Sequence, residues 1–154
     1  MRIGVLSDTH AGSFSELPDK ILAALADADM IIHAGDFTSR NVLDGLKQMK
    51  EVRAVHGNMD SMELNQLLPE TDSFSVGETG IKLAHGWGRP QGIDRRVYRQ
   101  FGDADIIVYG HSHYPQNEMI DGILFFNPGP ARDSFGIITI DDKHINGEII
   151  RLRE

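Results

Sequence analysis

Five stretches of this chain run from apolar residues into side chains that bind metal ions. They are "GVLSDTH" with Asp8 and His10, "MIIHAGD" with Asp36, "RAVHGNMD" with Asn58 and Asp60, "IKLAHG" with His85, and "IIVYGHSH" with His111 and His113. The donors are carboxylate, imidazole and one amide, with no sulfur. That set suits borderline divalent metals such as Mn, Fe, Ni, Co or Zn better than Ca or Cu(I) and does not choose among them; manganese is the expected ion, with Ni, Fe, Co and Zn as alternatives. Asp8, His10, Asp36, Asn58, His85, His111 and His113 are too many ligands for one ion that keeps room for a substrate. They suit two ions sharing a bridging carboxylate. Two ions roughly 3.5–4 Å apart clamp the attacking and leaving oxygens of a displacement at phosphorus and lower the pKa of a bound water.

The apolar part of each stretch reads as a strand, and ligands of open α/β sheets gather at the carboxyl ends of strands. Residues two apart on an extended chain point the same way. This predicts that Asp8 and His10 reach one centre, and that His111 and His113 do so if the chain stays extended there. Gly35, Gly57, Gly86 and Gly110 are expected to let the backbone turn or approach closely beside the site.

The runs 2–8, 29–36 and 52–57 alternate with helical patterns over 17–28 and 41–49, the second capped by Ser39 or Thr38. This β-α-β-α-β order implies parallel strands with right-handed crossovers. A hairpin over 73–76 and 80–84, a helix over 93–101 closed by Gly102 and a strand over 104–113 follow. The remainder is strand-rich, with hairpin-turn signals at Asp121-Gly122 and Asn146-Gly147. The expected architecture is α/β, with two mixed sheets packed face to face and helices outside.

The 154 residues predict a single domain, 1–154, with one proper core. The net charge of −8 provides no basic stripe to displace counterions, so stable nucleic-acid binding is not expected. Without Cys there are no disulfides or thiolate zinc sites. The apolar run before Ser7 is too short for a signal peptide or a membrane span. A cytoplasmic protein without membrane contact is expected. A small strand-rich domain with exposed hairpins is also a candidate for self-association as a dimer or tetramer.

Taken together, "DTH" (8–10), "GD" (35–36), "GNMD" (57–60), "HG" (85–86) and "GHSH" (110–113) resemble the signature of the calcineurin-like metallophosphoesterases. The resemblance spans nearly the whole chain. The short length and "NPGP" (127–130) resemble the small YfcE-like phosphodiesterase branch. It implies the four-layer metallophosphoesterase fold and a dinuclear centre. Asp8, His10, Asp36 and His113 would take the first ion, and Asp36, Asn58, His85 and His111 the second. Asp36 would bridge both, together with a hydroxide that attacks phosphorus in line. The substrate would be a small phosphate ester.

Met59 departs from the pattern, which carries histidine there in many members to protonate the leaving alkoxide. Methionine cannot donate a proton. General acid catalysis contributes typically 10²–10⁴-fold, so Met59 points toward diesters or good leaving groups. Asp36, Asn58, Asp60 and Arg89 make up the expected catalytic set. Asp60 reads either as a group orienting Asn58 or a neighbour, or as an ordinary turn residue. Arg89 reads as a bidentate phosphate ligand or as a solvated loop arginine. His33 reads as a contact to the ligand shell or a phosphate, or as a satisfied histidine at a strand end. His56 reads as packing or surface, and His144 as a solvated residue in a polar turn. Trp87 reads as a pocket wall or an oligomer contact. Two other functions stay open: a protein-binding module like the metallophosphoesterase-like subunit of the retromer coat, and a phosphatase for one metabolite monoester.

Overall fold

The first three apolar runs form parallel strands. In a computed structural model that describes residues 1–153, β1 (Arg2–Leu6), β2 (Met30–His33) and β3 (Glu51–Ala54) lie side by side. Helices α1 (Asp19–Ala26) and α2 (Arg40–Met49) supply the crossovers that parallel pairing needs. The register sets Ile3 against Met30 and Val5 against Ile32. Ser39 caps α2, its Oγ accepting the Asn41 N–H at 3.2 Å. Then follow α3 (Met62–Leu67), β4 (Thr71–Val76), β5 (Thr79–Ala84), α4 (Ile93–Phe101), β6 (Ile106–Val108), β7 (Gln116–Ile120), β8 (Ile123–Asn127), β9 (Ser134–Asp141) and β10 (His144–Arg151). One sheet runs β10-β9-β1-β2-β3 and the other β4-β5-β6-β8-β7.

Alternation along the strands sorts the side chains into layers. Ile3, Val5, Met30 and Ile32 face Ile81, Leu83, Ile106, Val108 and Phe126 and form the core between the sheets. Leu6 and Ile31 point the other way, onto Ile21, Leu25, Val42, Leu46 and Leu64 of the helices. Ile93 and Val97 of α4 cover Ile107 and Phe125 on the outside of the second sheet. Helix, sheet, sheet and helix make four layers, as expected. Each fully buried Leu or Ile contributes about 1.5–3 kcal/mol, so the two outer seams stabilise as the central one does.

Three expectations are corrected. The strands stop earlier than their apolar runs suggest, at Leu6, His33, Ala54 and Val108, so most of the candidate ligands sit on loops beyond them. Helix α3 lies outside the expected elements; its signal is Ser61, whose Oγ caps the Leu64 N–H at 3.2 Å. Asn146-Gly147 is not a turn but lies inside β10, opposite Thr139 and Ile138. Gly147 serves close approach: its carbonyl accepts the Asn117 amide at 2.7 Å, and a Cβ there would collide with Asn117 and Phe126. The turn falls at Asp142-Lys143 instead, with Asp142 at φ 59°, and His144 begins β10. Asp121-Gly122 does form the expected two-residue turn, with φ of 51° and 80°.

Candidate metal centre

The loops that leave the strand ends are stitched together by their backbones. The Asp8 N–H donates to the Gly35 carbonyl at 2.9 Å and the His10 N–H to the Asp36 carbonyl at 3.3 Å. Asp8, His10, Asp36, His111 and His113 all adopt left-handed backbone, with φ between 46° and 67°. Such a conformation costs a non-glycine residue about 1–3 kcal/mol and persists only where its surroundings impose it. Left-handed turns, not extended chain, therefore aim these side chains.

Two groups result. In the first, Asp8 Oδ1 lies 3.9 Å from His10 Nε2 and 3.3 Å from His113 Nε2. In the second, His85 Nε2 lies 3.0 Å from Asn58 Oδ1, which is 3.2 Å from His111 Nδ1. Two carboxylates stand between them: Asp36 Oδ2 is 3.9 Å from His10 Nε2 and 3.2 Å from His85 Nε2, and Asp8 Oδ1 is 3.9 Å from both. His111 and His113 thus part company: the chain does not stay extended there, the backbone at both being left-handed, so the condition for one shared centre is not met.

The donors fit metal ions. Asp8 Oδ1 is buried without a hydrogen-bond partner, a costly state for a carboxylate oxygen. The Nε2 atoms of His10, His85 and His113 face it at 3.9, 3.9 and 3.3 Å. His85 donates its Nδ1–H to the Ala34 carbonyl at 2.7 Å, which turns Nε2 toward the other candidate donors. Burial alone pulls the His85 pKa down, but the hydrogen bond to Asp36 and the charges of Asp8 and Asp36 hold it above the ordinary value. Burial alone pushes Asp36 up; His85, the Met59 N–H and His10 outweigh it and hold the carboxyl below the usual range.

Residues 1–143 match the calcineurin-like phosphoesterase superfamily domain. The chain belongs to this family. It is 34% identical to a probable metallophosphoesterase of Methanothermobacter thermautotrophicus, over 98% of this chain and 92% of that protein. A protein of Methanocaldococcus jannaschii named a phosphodiesterase is 29% identical, over 84% of this chain and 83% of its own length. Vps29 of Entamoeba histolytica, solved in complex with Zn²⁺, is similar in structure, with a TM-score of 0.76, 26% identity, and coverage of 98% of this chain and 99% of that one.

Several residues outside the set of candidate donors hold it in place. Asp60 does not face the ligand atoms. Its carboxylate accepts three backbone N–H groups, from Asp36 at 2.9 Å, Gly57 at 2.8 Å and Thr38 at 2.8 Å. Asn127 of "NPGP" is buried, and its amide donates to Ser112 Oγ at 2.9 Å and the Gly110 carbonyl at 3.3 Å. It fastens the loop that carries His111 and His113, a role that sequence reasoning missed. Ser7 Oγ donates to Asp8 Oδ2 at 2.5 Å. Gly57 and Gly110 allow close approach, since a Cβ would strike Asp36 at the first and Ser7 and Asp8 at the second.

His33 is the satisfied histidine. It is fully buried, and its Nδ1 accepts the Gly35 N–H at 3.0 Å, so Nε2–H donates to Thr9 Oγ1 at 3.3 Å. It stacks on Phe37 at 3.5 Å, and burial pushes its pKa down to about 3. Met59 exposes its side chain, while its backbone N–H donates to Asp36 Oδ1 at 2.8 Å. Arg89 lies on the exposed loop beside Gly88, whose carbonyl is 3.0 Å from His111 Nε2. His56 and Trp87 line a cleft next to Asn58 and His85. No helix among the described residues is long and apolar enough to cross a membrane.

Proposed function

We propose that the protein is a metal-dependent phosphodiesterase with two divalent ions, manganese being the expected pair. Asp8, His10, Asp36 and His113 would hold one ion, and Asp36, Asn58, His85 and His111 the other. The observation that carries this reading is the pair of carboxylates between the two groups, of which Asp36 Oδ2 comes nearer to His85, at 3.2 Å against 3.9 Å for Asp8 Oδ1. When bound, such ions supply Lewis acidity at phosphorus and a water acidified enough to act as nucleophile.

The chain itself does the rest. Asp60 and the Met59 N–H fix the two sides of Asp36. Arg89 supplies a cation for the phosphate from the loop beside His111. Position 59 donates no proton, so the leaving group departs without a side-chain acid from that position. Diesters and acidic leaving groups suffer least from this. The phosphodiesterase named among the relatives supports the same reading.

The test uses protein stripped of metal and reloaded with Mn²⁺, assayed on bis-p-nitrophenyl phosphate against p-nitrophenyl phosphate. Metal-dependent cleavage of the diester well above the monoester is expected. Asp36→Asn is expected to lose activity and to bind fewer than two ions per chain. Full metal content and rate in that variant would refute the bridging role. Likeness to Vps29 supports a second reading, a protein-binding module. Two bound ions with no turnover of any ester, and stoichiometric capture of another protein, would favour it.

A further inference from the structure

A cleft of about 220 Å³ opens directly beside Asn58 and His85, walled by His56, Glu70, Trp87 and Gln100. Pockets for drug-sized ligands span about 300–1,000 Å³, so this one takes a single ring-sized group and not a whole nucleotide. Its large apolar surface is Trp87, which is 47% exposed and is the only tryptophan of the chain. An exposed indole on a loop normally costs ordering entropy when it binds. Here the loop is already fastened. The Arg96 guanidinium donates to the Trp87 carbonyl at 2.9 Å, the Gln91 carbonyl at 2.9 Å and the Arg89 carbonyl. The Gly88 carbonyl meets His111 Nε2 at 3.0 Å, which ties the same loop to the ligand set.

The rim adds polarity that a purely apolar ring would leave unused. Glu70 offers acceptors, Gln100 a donor and an acceptor, and His56 an imidazole. Glu70, Trp87 and Gln100 also border a wider cleft with Arg96 and Arg99, so the remainder of a larger group has a way out to solvent. We propose that the Trp87 cleft is the subsite for an organic group carried by the phosphate, and that it takes a planar ring with a hydrogen-bonding edge, of the nucleobase class. This rests on the phosphoesterase reading of the adjacent metal centre, and it names the substrate class of that site.

The test compares uridine 5′-monophosphate with ribose 5-phosphate on the Mn²⁺-loaded full chain. The two share the phosphate and sugar type and differ in the ring. Calorimetry reads affinity, and the fluorescence of the single tryptophan reads location. Stacking of a base on an aromatic side chain is worth about 5- to 150-fold in affinity. The expected result is quenching by the nucleotide alone, with at least about fivefold tighter binding than the sugar phosphate. Trp87→Ala removes that preference, Trp87→Phe retains most of it, and neither changes affinity for ribose 5-phosphate. Equal affinity for both compounds, or an unchanged preference in Trp87→Ala, overturns the subsite. Turnover of bis-p-nitrophenyl phosphate without ring preference overturns the subsite alone. Ring preference without turnover upholds the subsite and overturns the diesterase reading alone.

Discussion

Asp60 positions Asp36 by its backbone: the Asp60 carboxylate accepts the Asp36 N–H at 2.9 Å, together with those of Gly57 and Thr38. One side chain thereby joins the loop after β2 to the loop after β3. Asp60→Asn replaces an acceptor-only group by one whose NH₂ must face a backbone N–H. A partly buried donor left unpaired costs about 1–3 kcal/mol. The expected result is a loss of that size in urea unfolding. Metal affinity is expected to fall about 10- to 100-fold, the range for groups that orient ligands. A variant of wild-type stability and metal affinity would show that Asp60 is an ordinary turn residue.

Much of this arrangement was legible in the sequence, because strand alternation and crossover logic depend on local pattern. The four layers and the gathering of the candidate donors were readable from apolar runs and residue types. The reason that the ligands converge was not. Asp8 and His10 do not share a strand direction; both sit in left-handed turns, whose backbone only tertiary hydrogen bonds such as His10 N–H to the Asp36 carbonyl impose. Asn127 carries no local signal of its role. Its bonds to Gly110 and Ser112 cross between segments far apart in sequence. Gly147 misled because glycine after asparagine signals a turn, while here the missing Cβ makes room for Asn117 and Phe126.

Met59 can be replaced without touching the contact that Asp36 needs. Its backbone N–H, not its thioether, bonds Asp36 Oδ1, and the side chain is exposed. Met59→His therefore adds an acid beside the leaving group at little structural cost. Hydrolysis of alkyl phosphate esters is expected to rise by up to about 10²-fold, within the usual contribution of general acids. Esters of p-nitrophenol, whose leaving group needs no proton, change by only a few fold. Rates measured against leaving-group pKa check this through a shallower slope in the variant.

Loading the centre should release protons. His85 is held above the ordinary histidine pKa by Asp36 and Asp8 against the pull of burial. A group raised in this way stabilises the folded chain fully below the unfolded value of about 6.5 and loses that contribution as pH rises through the folded value. Its Nε2 must shed the proton to ligate. Apparent metal affinity is therefore expected to climb with pH from about 6.5 through the raised pKa of His85. Calorimetry of Mn²⁺ binding in buffers of different ionisation enthalpy reads the released protons directly. Binding with no proton release near neutral pH would remove His85 from the ligand set.

His33 is expected to add acid sensitivity to the fold, with the opposite sign. In the folded protein its pKa lies at about 3, pushed down by burial first and then by the charge of His85. In the unfolded chain it returns to about 6.5. Between those values the unfolded state binds the extra proton, so stability is fully present above about 6.5 and falls as pH drops toward 3. The slope approaches about 1.4 kcal/mol for each pH unit in that window. His33→Asn keeps an acceptor for the Gly35 N–H but has no proton to take up. The variant is expected to be less stable at pH 7, through loss of the Phe37 stack, yet to show a shallower decline from pH 6.5 to 4. Urea midpoints of metal-free protein across that range decide it, and parallel curves for the two proteins would place the acid sensitivity elsewhere.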